Sequence, residues 1–478
     1  MLDYIPTDPI PEENRWASSA RNLGLTKWYM LYNPRQLYVL AKLAQYIARR
    51  TEEIMREDPE FGAAVALYLV FGFDKEINYN TIATSWHRSR ATIRDSLGGA
   101  GIRSDYCEVI VPWRSLKWAL EPEVAEKGEF MRTGGGVLPV LGVLCDWFRE
   151  RKLGDRTIVF LADATKLSSI MGEGSLDIVN VDPPYFEQVV YSDKIEFIWV
   201  LMRRALSPAL DILFPEERVR IDWSPKGEKG ARLPRKRELV VRGKSRSEFR
   251  EGDTEIENWR TLFKELCTDF AKVLKDDGIL VLWFTHPSDI AWRSVGEALY
   301  DAGFVTSKVY PMFSEMPTRY KGQVNKVAQQ ISLAIVAKKA SRERLMGAED
   351  MAVYLASEER FSSLADRLAS EALSMARSTR LSTVDAFALT LGTAISVATH
   401  FDAPIKDAFK DLYSAAITQV IERFVGGLLK DLFTGERPVR LVPDEAEVVE
   451  GRIQEGMLHE PAARAYMPRD CSKFGEIG

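Results

Sequence analysis

One stretch constrains the fold more than any other. Leu176, Ile178, Val179 and Val181 form an apolar, β-branched run that stops at Asp182-Pro183-Pro184-Tyr185-Phe186. Such a run reads as a buried strand of a parallel sheet, covered on both faces. Two successive prolines cannot donate to a strand ladder, and they stiffen the turn that follows. Asp182 and Tyr185 are therefore expected at the carboxyl end of a central strand, where open α/β sheets place their ligands.

The flanking sequence fits an α/β core. Strands are predicted over 157–162, 279–284, 304–310 and 330–337, the last two pairing as a hairpin-type edge. Helices are predicted over 194–205, 259–274 and 290–302. Asn258 is placed to cap the second, Asp276-Asp277-Gly278 to stop it and Gly303 to stop the third. Upstream, Asn33-Pro34-Arg35-Gln36 is a helix start, and Leu37, Leu40, Ala41, Ala44 and Ile47 recur at helical spacing to about residue 55. Further helices are expected over 61–73 and 137–151. Residues 1–32, proline-rich with Trp16 and Trp28, read as an arm lying on another surface. Residues 81–96 carry His87, Arg88, Arg90 and Arg94 beside Trp86, equally a phosphate-contacting surface or a solvated basic face. The expected organisation is a helical region over 1–150, an α/β core over 151–340 and a helical part with a polar tail over 341–478.

Composition narrows the class. A net charge of −5 over 478 residues gives no global nucleic-acid signature. No apolar run is long enough to span a membrane, and the N-terminus lacks the basic and apolar segments of a secretory signal. Cys107, Cys145, Cys267 and Cys471 are scattered, so neither a zinc site nor a disulfide framework is indicated. A cytoplasmic protein without a bound metal is the expectation.

Asp182-Pro183-Pro184-Tyr185 suits transfer to a weakly nucleophilic amine. The exocyclic amine of adenine or cytosine is conjugated and nearly planar. A carboxylate (Asp182) and a backbone carbonyl (Pro183) accepting its two hydrogens would draw the nitrogen toward tetrahedral geometry. The prolines preorganise that arrangement. Tyr185 offers a flat face to a base taken out of the helix, and Phe186 supports it. The bland alternative is a proline-closed strand end with an ordinary capping Asp.

This stretch resembles the Asp-Pro-Pro-Tyr motif of amino-methyltransferases, which methylate adenine or cytosine amines in DNA with S-adenosylmethionine. Over roughly 20–340 the chain is further similar to large adenine-specific DNA methylases carrying a zinc ribbon and a domain of unknown function numbered 1156. The matching segments are Gly24-Leu25-Thr26-Lys27-Trp28, Asn33-Pro34-Arg35-Gln36-Leu37, Asp163-Ala164-Thr165-Lys166-Leu167, Asp182-Pro183-Pro184-Tyr185-Phe186, Val190-Tyr191-Ser192-Asp193, Ala302-Gly303-Phe304-Val305 and Glu315-Met316-Pro317-Thr318-Arg319. The resemblance implies a Rossmann-like core, with Asp163 accepting from the cofactor's adenine amine and Ala164 lining that pocket. It also implies that Asn33 and Pro34 close the cofactor pocket and that Tyr191 and Ser192 line the site mouth. For Asp163 a simple helix cap is an equal alternative. The basic insertion over 207–257, with Arg235-Lys236-Arg237, reads as a DNA-contacting loop beside the site. His286 reads as structural, because this chemistry needs no base poised near neutrality.

The departure from the family is as informative. Its glycine-rich cofactor turn, of the form Asp-Pro-Phe-x-Gly-x-Gly, is not found. Val70-Phe71-Gly72-Phe73-Asp74 falls inside a predicted helix, and Gly98-Gly99-Ala100-Gly101 and Gly134-Gly135-Gly136 follow no buried strand. The expectation is an incomplete sheet whose first strands come from a second polypeptide, the two chains sharing one site. The rival readings are a cytosine-amine or RNA methyltransferase and a non-catalytic nucleic-acid-binding or scaffold subunit.

Overall fold

A computed structural model describes residues 1–87, 92–97, 137–151, 157–158, 163–187, 189–214, 238–242, 250, 252–313, 331–340, 342–344, 358–379, 381, 383–402 and 408–434. The longer helices are α1 (Pro34–Met55), α2 (Pro59–Tyr79), α3 (Val137–Arg151), α4 (Tyr191–Ala205), α5 (Thr254–Val273), α6 (Asp289–Asp301), α7 (Glu359–Thr379), α8 (Thr383–Thr399) and α9 (Ala408–Thr434). The strands that matter here are β1 (Ser85–His87), β2 (Thr92–Arg94), β3 (Leu176–Val181), β4 (Leu274–Phe284), β5 (Phe304–Phe313) and β6 (Ile331–Lys339). The chain divides into two compact units, one of Met1–Phe160 with Val190–Glu238, the other of Leu161–Val189 with Leu239–Gly478.

In the first unit α1 starts where its sequence says. The Asn33 side chain accepts from the Gln36 N–H while the Gln36 side chain accepts from the Asn33 N–H, a reciprocal capping box with Pro34 in the first turn. Leu40, Ala44 and Ile47 of α1 share a core with Ala63, Ala66, Val70 and Phe73 of α2. Phe71-Gly72-Phe73 thus lies within a helix. The arm is held against α4. Trp16 and Tyr32 meet Phe197 at ring-centroid distances of 4.9 and 5.6 Å. Asp8 accepts from Arg203 at 2.7 Å and Arg204 at 2.6 Å, all three buried. Asn14 donates to the Asp193 carbonyl and to the Glu196 carboxylate. Burial lowers the Arg204 guanidinium to about 10, with Asp8 opposing that shift. β1 and β2 pair antiparallel, with Trp86 opposite Ile93; Arg88 and Arg90 lie outside the described residues.

The second unit is built on a four-stranded mixed sheet of order β3-β4-β6-β5. β3 runs parallel to β4, and β6 is antiparallel to both of its neighbours. The expected antiparallel pair forms, but β6 lies between β4 and β5. On β4, Leu280, Leu282 and Phe284 face a core shared with Trp259 and Phe263 of α5 and Trp292 and Leu299 of α6. The C-terminal helices belong to the same core through Phe361, Leu389, Ile395 and Leu412. A side chain on Gly296 of α6 would meet the Phe409 ring at 2.3 Å, so glycine there permits α6 to approach α9. Gly303, at φ +81°, ends the turn after α6 as expected.

Four details differ from the sequence reading. β3 is covered on one face only. Val179 is buried, whereas Ile178 is 60% exposed, and among the described residues β3 has no neighbour beyond β4. The pairing register sets Ile178, Tyr310 and Met312 on the same uncovered face. Thr157 and Ile158 lie outside any strand, and 159–162 lie outside the described residues. α5 begins at Thr254, four residues ahead of Asn258, which lies inside it. Asp276-Asp277-Gly278 forms an irregularity in β4, where the register with β3 jumps from Leu176↔Leu274 to Ile178↔Ile279. The glycine signals a strand bulge here rather than a helix stop.

Candidate active site

The Asp182–Phe186 turn follows β3 directly, and three contacts determine its shape. The Tyr185 hydroxyl donates to Asp182 Oδ1 at 2.7 Å and lies 3.3 Å from Ser332 Oγ on β6. Pro183 is buried while Asp182 is exposed, so the carboxylate stands at the surface on a rigid base. With Oδ1 taken by Tyr185, Oδ2 makes no hydrogen bond to the described residues and can accept from a ligand. The Tyr185 ring is half-buried, edge-on to Phe284 at 5.8 Å.

Phe186 anchors the far end of the turn. It is fully buried and sits at φ +55°, in the left-handed region that side chains avoid. Its ring packs on Trp259 at 4.9 Å and His286 at 5.4 Å. Its N–H donates to the Pro184 carbonyl, and its own carbonyl accepts from the Val241 N–H at 3.0 Å. Packing and two backbone bonds hold a conformation that costs energy locally. Next in the chain, Glu187 Oε2 is 2.6 Å from His286 Nε2. The Ser288 N–H donates to His286 Nδ1 at 3.0 Å, so Nδ1 carries the lone pair and Nε2 the proton it gives to Glu187. His286 is wholly enclosed and works as a brace.

Asp163 caps a short turn over Ala164–Lys166. Its Oδ1 accepts from the Thr165 N–H at 3.0 Å and from the Thr165 hydroxyl at 2.7 Å. Asp163 and Ala164 are exposed, in the same unit as the Asp182 turn. Asn33, Pro34, Tyr191 and Ser192 belong to the other unit. Tyr191 and Ser192 open α4, which starts three residues earlier than expected. Ser192 is buried, and its N–H and hydroxyl donate to Glu238 at 3.0 and 2.6 Å, a carboxylate against a helix start. Arg235, Lys236, Arg237, Glu315 and Arg319 lie outside the described residues.

Sequence reasoning missed Ser332, Glu187 and Trp259. Glu187 adjoins the motif and could have been flagged. Ser332 and Trp259 reach the turn only through strand register and helix packing, which leave no local signal. Among the described residues no glycine-rich turn follows a strand, and no group of three or more His, Cys, Asp or Glu side chains is placed to hold a metal. No described helix is long and apolar enough to cross a membrane. No model of a known protein family, no curated protein and no solved structure matches this chain.

Proposed function

We propose that this chain carries the target-base half of an S-adenosylmethionine-dependent amino-methyltransferase acting on adenine in DNA. The observation that carries the reading is the Asp182 carboxylate at the end of β3, oriented by Tyr185 through Oδ1 and open at Oδ2. Oδ2 and the Pro183 carbonyl accept the amine's hydrogens and raise the nitrogen lone pair. The Tyr185 face supports the extruded base. The braced turn keeps these acceptors from relaxing as charge develops.

The cofactor supplies the methyl group. The described residues offer Asp163 as an acceptor at its adenine end, with one oxygen already engaged by Thr165. They offer no cradle for its methionine end. On this reading a second polypeptide adds the first strands, in Rossmann-like order, along the open edge of β3 and brings the glycine turn. A strand that exposes Ile178 and, among the described residues, pairs only with β4 suits such an addition.

The test is methyl transfer from labelled S-adenosylmethionine to duplex DNA, by this chain alone and with its genetic neighbour's product. Transfer only in the mixture supports the split site. Transfer by the chain alone removes the need for a partner. No transfer in either case refutes methylation of DNA, and the same assay on RNA then decides that alternative.

A further inference from the structure

Helix α1 carries a second surface with its own chemistry. Its inward face, Leu40, Ala41, Ala44, Ile47 and Ala48, is buried. Arg35, Tyr38, Lys42, Tyr46 and Arg49 lie on the outward face and are all exposed. At about 100° per residue these five fall within an arc of about 80°, a single stripe. Cation and aromatic alternate along it. Tyr38 and Tyr46 are 56% and 63% exposed, unusual for tyrosines with no partner. Among the described residues none of the five makes a hydrogen bond or an ion pair.

The absence of acids separates this stripe from an ordinary solvated face. No Asp or Glu occurs between Pro34 and Thr51, in a chain whose net charge is −5. The first ion pair on the helix is Arg50 with Glu53, near its end. Elsewhere the chain builds solvated helix faces from mixed charges, as with Arg367 and Glu371 on α7. Helix packing accounts for the buried side of α1 and asks nothing of the outer one.

We propose that the outer face of α1 binds a single-stranded stretch of nucleic acid, with phosphates on Arg35, Lys42 and Arg49 and unpaired bases stacked on Tyr38 and Tyr46. Alternating cations and aromatics are the pattern that tracks an unpaired strand, because every base has a face to stack. The stripe runs about 21 Å from Arg35 to Arg49, at 1.5 Å per residue. That spans about six nucleotides of a stacked strand at 3.4 Å each. A duplex hides its base faces and leaves the tyrosines no role. The proposal rests on this helix alone and is independent of methyl transfer at Asp182.

The experiment is fluorescence anisotropy of the full chain with a labelled DNA single strand of about 12 nucleotides, and with its duplex, at several salt concentrations. Tyr38→Ala and Tyr46→Ala should each weaken single-strand binding about 5- to 150-fold with little change in salt slope. Tyr→Phe at both positions should restore it. The combined Arg35→Glu, Lys42→Glu and Arg49→Glu variant should weaken binding and reduce the salt slope by about 2. All five side chains are exposed, and unchanged circular dichroism will show that the variants fold. Single-strand affinity insensitive to both tyrosines, or equal in the charge-reversed variant, overturns the proposal. So does binding confined to the duplex.

Discussion

The left-handed Phe186 allows a test in which the usual advantage of alanine over glycine disappears. Replacing this fully buried ring by alanine should cost about 3–5 kcal/mol, as for other core phenylalanines. About 1 kcal/mol of that is its edge-on contact with Trp259. At an ordinary buried position, glycine would be worse than alanine by about 1.5 kcal/mol, the sum of backbone entropy and one lost methyl. At φ +55° alanine keeps a left-handed penalty of about 1–2 kcal/mol that glycine does not have. The two terms cancel, so Phe186→Gly should match Phe186→Ala to within about 0.5 kcal/mol. Urea midpoints followed by tryptophan fluorescence read this directly, Trp259 being in contact with the altered residue. A glycine variant weaker by about 1.5 kcal/mol would mean that the turn is not held in the left-handed region. The brace of Asp182 and Tyr185 would then need another account.

Four further outcomes follow. Asp182→Ala should abolish methyl transfer while DNA affinity in a gel-shift assay stays within about twofold, because one exposed carboxylate adds nothing to phosphate binding. Asp8→Asn should lower stability by about 3–5 kcal/mol in urea, since it leaves Arg203 and Arg204 buried with their charges uncompensated. Tyr32→Phe removes a buried hydroxyl with no partner among the described residues and should leave the midpoint at pH 7 unchanged or raised. Burial holds the Tyr32 phenol above its usual 10, so the unfolded chain ionises first and stability is lost as pH rises beyond 10; the phenylalanine variant should lose less. Burial, with Arg367 nearby, holds His400 below its usual 6.5. The unfolded chain therefore takes up the proton first, and stability present above pH 6.5 should fall on acidification below it. His400→Asn should flatten that slope in midpoints taken at several pH values.

Much of the local structure was legible in the chain. Asn33-Pro34-Arg35-Gln36 carries its own capping bonds, and the Leu176–Val181 strand with its proline stop needs no distant partner to be read. What escaped was set by long-range pairing. Nothing near Ile331 says that β6 will lie between β4 and β5. Nothing near Ile178 says that its face will stay exposed, because that depends on what packs there from far along the chain. Gly278 looked like a helix stop since the same residue type serves a strand bulge. At the site, the acid and the tyrosine were readable as a pair, while their third partner, Ser332, is 147 residues from Tyr185 in sequence.

The grip of Asp8 on Arg203 and Arg204 also sets a timetable. Asp8 and Arg203 are separated by 195 positions. During synthesis the arm emerges well before α4, so the Asp8 carboxylate cannot meet Arg203 and Arg204 until α4 has been made. At about 5–20 residues per second, that wait lasts on the order of 10–40 s. Through that interval Trp16, Trp28 and Tyr32 have not yet met Phe197. The arm thus precedes α4 in synthesis by a long interval and completes its contacts only when α4 arrives.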